Sequence, residues 1–114
     1  MTTLEVVGHE FTHGIVDYTS SLIYSNESSM NESMADIMGK ALEYESDPAN
    51  FSWELGHSFH LSPEAKPSRL DDPKSVEMPA YYGGEFWYDG GGVCNSAISS
   101  LWFVMLVDGR QGDE

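Results

Sequence analysis

Apolar residues recur at helical spacing in two segments of the chain. The first segment, within residues 1–20, has apolar residues at steps of three and four, which is the period of a helix with one buried face. These residues are Leu4, Val7, Phe11, Ile15 and Tyr18. A second stripe of the same period lies within residues 29–45 and consists of Met30, Met34, Ile37, Met38, Ala41 and Leu42. The pattern predicts two amphipathic helices that bury these stripes.

The remaining sequence divides into a long loop and a third helix. Residues 46–92 contain all five prolines and several adjacent glycines, with short extended possibilities only around residues 80–82 and 85–88. Residues 93–108 are apolar nearly all round, which predicts a helix with neighbours on every side. The predicted fold is therefore mainly α with short β or loop segments, in one domain over residues 1–114.

Composition and charge narrow the function classes. The chain of 114 residues has five Lys plus Arg against nineteen Asp plus Glu, a formal net charge of −14 that disfavours nucleic acid and anionic membranes as partners. Cys94 is the single cysteine, so no intrachain disulfide is possible. The apolar run at residues 93–107 is short and interrupted by polar residues, and no signal peptide opens the chain, so we expect a soluble protein with an internal start.

The clearest chemical motif lies in the first predicted helix. His9, Glu10 and His13 match H-E-x-x-H, in which residues four apart project from one helix face and can bind a single Zn²⁺. A catalytic zinc needs a third protein ligand and an open position for water, beside which Glu10 would act as general base. The alternative interpretation is two ordinary surface histidines and a solvated carboxylate.

A pair of acids in the second predicted helix can complete such a site. Glu32 and Asp36 are four residues apart, so one can reach a metal while the other accepts a hydrogen bond from a ligand imidazole. The pattern leaves open which acid takes which task. The alternative is two solvated acids in a very acidic protein.

Several sequence blocks resemble the thermolysin family of zinc metalloendopeptidases, peptidase family M4. The blocks are LEVVGHEFTH at 4–13, DYT at 17–19, LIY at 22–24, NES at 26–28, NE at 31–32, DIMG at 36–39, DP at 72–73 and GGV at 91–93. The resemblance implies the central active-site helix and the start of the helical C-terminal lobe of a two-lobed α+β fold. It also implies an extracellular peptidase acting on peptide or protein substrates, with the rest of both lobes missing here.

The resemblance implies a role for each matching residue. Zinc would be bound by His9, His13 and Glu32, with Glu10 as the base that activates the attacking water. Asn31 and Asp36 would support the ligands, Tyr24 would donate to the oxyanion, Arg69 would hold a substrate carbonyl, and Asp89 would orient a further catalytic histidine.

Calcium is the second metal that the resemblance implies. Oxygen ligands suited to Ca²⁺ are offered by Glu5, Glu43, Asp47, Asn50 and Glu54. Ser52 and His57 stand where relatives with a double calcium site carry carboxylates, so we expect one ion or none. The alternative is a set of acids that serves solubility alone.

Departures from the family pattern predict weak catalysis. The pattern G-G-V-H-x-N-S appears as GGVCNS at residues 91–96, one residue shorter and without the histidine. The segments between His13 and Glu32 and from Arg69 to Pro73 are also one residue short. We therefore expect a zinc metalloendopeptidase module with impaired activity. The alternatives are an inactive metal-binding pseudo-peptidase or gene fragment, and an acidic helical interaction module without metal.

Overall fold

Three α-helices carry the part of the fold that the structure describes. A computed structural model describes residues 3–20, 26–55, 69–89 and 93–109. The helices are α1 (Thr3–Thr19), α2 (Asn26–Ser46) and α3 (Ala97–Asp108), and the predicted mainly α fold is confirmed. α2 begins at residue 26 and not at 29. Ser and Asn residues are typical of the start of a helix, since their side chains cap its free N–H groups, so the polar run at 25–29 is compatible with a helix that starts within it. No described helix has both the length and the apolarity needed to cross a membrane.

The described part of the long loop region has no strands. It contains short 3₁₀ helices at Pro48–Asn50 and Pro73–Val76 and an isolated antiparallel bridge between Glu54 and Arg69. The two possible extended segments, at 80–82 and 85–88, are not strands in the structure, since two turns are closed here by hydrogen bonds from Gly84 N–H to Tyr81 O and from Trp87 N–H to Gly84 O. Gly83, at φ 70°, supplies the left-handed conformation that redirects the chain.

α1 and α2 pack at unusually short range. A Cβ atom added at Gly39 of α2 would lie 2.7 Å from the carbonyl oxygen of Glu5 and 3.3 Å from the backbone nitrogen of His9. One added at Gly8 of α1 would lie 3.0 Å from Leu42 Cδ2. The close contact accounts for a glycine at these helical positions, where intrinsic propensity disfavours it.

The face that α1 buries is polar. Glu5, His9 and Thr12 are buried together with Val16, whereas the predicted apolar stripe is exposed, with Phe11 at 69% and Tyr18 at 92%. α2 shows the same inversion, since Met30, Met34 and Met38 are exposed while Asp36, Lys40 and Glu43 are buried. The predicted burial of both stripes is therefore wrong. The physical reason is that polar side chains of the two helices pair across the contact, as His9 does with Asp36 and Glu5 does with Lys40.

The apolar core lies between α3 and the loop. Its buried residues are Trp53, Leu55, Leu70 and Val104, with Phe51 and Phe103 packed against them. α3 also contacts α2 through a buried hydrogen bond of 3.1 Å between the hydroxyls of Ser33 and Ser100. Trp102, Leu106 and Val107 are exposed, so the prediction of neighbours on every side of this helix is wrong for the described structure.

The two glycines Gly39 and Gly14 provide a matched test of the helix packing. Gly39→Ala is expected to destabilise the protein by about 1–3 kcal/mol, because its Cβ meets backbone atoms that cannot move independently. Gly14→Ala, with no atom within 4 Å of the added Cβ, is expected to stabilise α1 by about 0.5–1 kcal/mol. Urea unfolding midpoints measure both changes. Equal effects of the two substitutions would contradict the close packing.

Candidate metal centre

Three side chains from two helices converge at one point. The Nε2 atoms of His9 and His13, both on α1, are 3.0 Å apart. Glu32 of α2 places Oε1 3.2 Å from His13 Nε2 and Oε2 3.5 Å from His9 Nε2. Among the described residues, these are the only three His, Cys, Asp or Glu side chains whose ligand atoms all lie within 4.8 Å of one another. The tertiary structure thus brings together His9, His13 and Glu32, the three residues that the family resemblance implies as zinc ligands.

The outer nitrogens of both imidazoles are held by acceptors. His9 Nδ1 lies 2.7 Å from Asp36 Oδ1, and His13 Nδ1 lies 2.7 Å from Asn31 Oδ1. Asn31 in turn donates from Nδ2 to Asp17 Oδ1 at 2.9 Å, which fixes its oxygen towards His13. Since carboxylate and amide oxygens only accept, the proton of each neutral imidazole belongs on Nδ1.

The inner atoms consequently form a set of acceptors. With both Nδ1 atoms protonated, the two Nε2 lone pairs and the Glu32 carboxylate face one another within hydrogen-bond distance. Such a set is repulsive unless a cation or a proton lies within it. Two ligands on one tetrahedral zinc at about 2.0–2.1 Å are themselves about 3.3 Å apart. The observed separations of 3.0, 3.2 and 3.5 Å bracket that value, so the residues fit zinc.

The acidic surroundings change the ionisation of His9. Burial alone lowers the pKa of this imidazole, but the carboxylates of Asp36 and Glu32 outweigh burial and raise the pKa to about 10. Hydrogen bonding to His9 is in turn the main reason that the pKa of Glu32 is lowered. Without metal, therefore, a proton on Nε2 of His9 supplies the positive charge among the inner atoms of His9, His13 and Glu32.

The structure also settles which acid supports which residue. Glu32 faces the two Nε2 atoms, whereas Asp36, one turn further along α2, holds the back of His9. Sequence reasoning had assigned no role to Asp17, which positions Asn31. The sequence spacing could have indicated this role, because Asp17 lies four residues after His13 and hence on the same face of α1.

The predicted calcium ligands do not come together. Glu5 and Glu43 flank the ammonium of Lys40, at 3.4 and 3.3 Å, and the backbone carbonyl of Glu54 accepts a hydrogen bond from the same ammonium. Asp47 and Asn50 hydrogen-bond to each other at the surface, at 2.8 Å. The structure therefore does not gather the five predicted residues around one point, because the Lys40 ammonium lies where oxygens of Glu5, Glu43 and Glu54 meet.

The remaining predicted residues lie apart from the metal centre or outside the described ranges. Arg69 donates two hydrogen bonds to Asp71, at 2.9 and 3.1 Å, and lines a cavity of about 820 Å³ to which none of the three metal ligands contributes. Asp89 is exposed and accepts a hydrogen bond of 2.7 Å from Trp87 Nε1. Glu10 is exposed on α1 directly after His9. Tyr24 lies outside the described residues.

Comparison with known proteins finds similarity over most of the chain. A family profile described as the α-helical domain of thermolysin metallopeptidase matches residues 20–113. The chain is 37% identical to a bacillolysin of Bacillus caldolyticus and to a thermolysin of Alicyclobacillus acidocaldarius, over 93% of its own length and 20% of theirs. It is 32% identical to a zinc metalloproteinase of Renibacterium salmoninarum over 96% of its length and 22% of that protein. The chain thus spans about a fifth of the length of these relatives.

Metal binding at His9 is expected to release a proton. Because the zinc-free imidazole has a pKa of about 10, it is protonated at pH 8, and a metal must displace that proton from Nε2. Zinc affinity should rise about tenfold per pH unit as the competing proton is removed, up to about pH 10. Calorimetry at pH 8 in two buffers of different ionisation enthalpy counts the protons released per zinc.

The matched variant for this test is Asp36→Asn. It removes one of the carboxylates that raise the pKa of His9, so fewer protons should be released at pH 8. Any proton lost by a zinc-bound water is common to both proteins and cancels in the comparison. Equal proton release by the two proteins would contradict the raised pKa.

Proposed function

Because the chain belongs to the thermolysin metallopeptidase family, we propose that it is a zinc-dependent metalloendopeptidase module that hydrolyses peptide bonds. One observation carries the proposal. Two Nε2 lone pairs and a carboxylate converge at 3.0–3.5 Å while both outer nitrogens are held by acceptors, which is the arrangement of a zinc site with supported ligands. An interaction module without metal would have no need for such convergence of acceptors.

The proposed chemistry is hydrolysis by an activated water. Zinc bound by His9, His13 and Glu32 would polarise the scissile carbonyl and lower the pKa of water. Glu10, exposed on the same helix, is the proposed general base that takes the proton of the attacking water and passes it to the leaving nitrogen. Asp36 and Asn31 would hold the Nδ1–H groups of the two imidazoles, so that both Nε2 atoms stay directed at the metal.

Other parts of the proposed function rest on the relatives. Peptides or proteins as substrates and an extracellular location are proposals for this chain, which covers about a fifth of those proteins. A complete substrate cleft would also require parts of the relatives that this chain does not match. Tyr24 and Arg69 remain proposed contributors to oxyanion and substrate binding.

We further propose that catalysis by this module is weak. The sequence has Cys94 after Gly-Gly-Val, and a thiol is a poorer hydrogen-bond donor than an imidazole. Asp89, the proposed orienting acid, is engaged by Trp87, and the Arg69 guanidinium is engaged by Asp71. Metal binding depends on none of these residues, so it should persist where turnover is low.

Zinc content tests the ligand assignment. The chain is expected to hold about one zinc after dialysis, and His9→Ala together with His13→Ala should abolish this binding because two of three protein ligands are lost. His57→Ala together with His60→Ala removes the chain's other two histidines and is the matched control. Zinc retained by the first pair to the same extent as by the control would overturn the assignment.

Turnover tests the proposed catalytic weakness. The module would be grafted into a complete relative, as given and with a histidine inserted between Val93 and Cys94. Insertion is expected to raise kcat on the order of a hundred- to a thousandfold, the usual contribution of one oxyanion donor. Glu10→Gln in the inserted form should abolish turnover and leave zinc bound. Equal kcat with and without the insertion would show that the histidine is dispensable.

A further inference from the structure

A fully buried lysine lies at the junction of α1, α2 and the following loop. Lys40 is 1% exposed, and so are the two acids that flank it, Glu5 of α1 and Glu43 of α2. Its Nζ lies 3.4 Å from Glu5 Oε2 and 3.3 Å from Glu43 Oε1. The same ammonium donates to the backbone carbonyl of Ser52 at 2.9 Å and to that of Glu54.

The surroundings of this ammonium are an oxygen cage. Two carboxylates and two backbone carbonyls, from three different segments of the chain, face a single positive charge. An ammonium has three protons to donate and no acceptor, so a cage made only of acceptors suits it. Burying two carboxylates without a cation is strongly unfavourable, which makes the charge of Lys40 a requirement of this junction.

The same oxygen types are those that bind calcium. Ca²⁺ takes carboxylate and carbonyl oxygens at about 2.3–2.6 Å, whereas the carboxylate oxygens and the Ser52 carbonyl lie at hydrogen-bonding distances of 2.9–3.4 Å from Nζ. The ammonium stands among these oxygens, and it leaves no room for an ion at the same point.

We infer that Lys40 is a built-in cation, which replaces a bound calcium ion and makes the junction of α1, α2 and residues 52–54 independent of calcium. The sequence carries a matching feature, because Lys40 is the only lysine or arginine among the first 65 residues of a chain with net charge −14. A single basic residue in so acidic a segment is placed where two buried acids need it. The inference does not depend on peptidase activity.

The position of Lys40 also connects it to the metal centre. Three contacts between α1 and α2 repeat at intervals of about one helical turn. Glu32 contacts His13, Asp36 contacts His9, and Lys40 contacts Glu5. The partners on α1 run in the opposite direction to those on α2. Gly39, next to Lys40, is where the two helices come closest. The lysine thus fixes the register in which Glu32 reaches the two histidines.

Thermal unfolding of the full chain tests the inference. In buffer freed of calcium and supplied with one equivalent of zinc, the melting temperature should be unchanged when calcium is added, beyond the shift given by magnesium at equal ionic strength. Lys40→Met keeps most of the side-chain volume and removes the charge. It should raise the equilibrium constant for unfolding on the order of a hundredfold or more, as breaking a buried ion pair does.

Lys74→Met is the matched control, since Lys74 is exposed, and it should leave the unfolding constant nearly unchanged. If Lys40→Met does not fold, adding Glu5→Gln and Glu43→Gln removes the uncompensated charges and should restore the folded state. A triple variant no more stable than Lys40→Met would overturn the inference, and so would Lys40→Met as stable as the parent.

A gain of calcium dependence is the most direct result. Lys40→Ala removes the ammonium and its stem but leaves both carboxylates and both carbonyls. Calcium should then stabilise the variant by a saturable shift in melting temperature that magnesium does not reproduce, because Mg²⁺ requires a smaller and more regular site. A saturable calcium response in the parent, or no calcium response in Lys40→Ala, would contradict the replacement of calcium by Lys40.

Discussion

The antiparallel contact between α1 and α2 is the constraint on which the rest of this structure depends. Along this contact, polar side chains pair at intervals of one helical turn. The pairs are His13 with Glu32, His9 with Asp36, and Glu5 with Lys40. Gly39 permits the approach, since any Cβ there would meet the backbone of α1. One register of two helices therefore assembles both the metal centre and the buried lysine cage.

Burying charge at a helix interface imposes strict pairing. Each ionised group loses its hydration, so stability depends on a partner of opposite charge at hydrogen-bonding distance. At one end of the interface the cation is the Lys40 ammonium, which is part of the chain. At the other end it is the proton on His9 or, as proposed, a zinc ion in its place, both of which can exchange with solvent. The fixed charge holds the two helices together, and the exchangeable one would serve the proposed hydrolysis.

The division between metal binding and catalysis follows from the positions of the residues. All ligands and their supports lie on α1 and α2, where the helical repeat determines their directions. The residues proposed to assist turnover, including Arg69 and Asp89, lie on loops and have other partners in this structure. Two of the three departures from the family pattern, at residues 69–73 and 91–96, lie outside these two helices. Such changes can weaken catalysis and leave a zinc site intact.

The sequence alone predicted which side chains of the site share a helix face, because residues four apart on a helix project to the same side: His9 with His13, and Glu32 with Asp36. It also predicted the three helices, whose periodicity and composition are local properties. It could not determine which face each helix buries, since an apolar stripe such as that of Phe11 and Tyr18 is a preference that the polar pairing opposite it outweighs. Nor could it distinguish five calcium ligands from a lysine cage. Only the tertiary structure brings Lys40 between Glu5 and Glu43, because residues 35 positions apart in sequence meet only when two helices pack in one register.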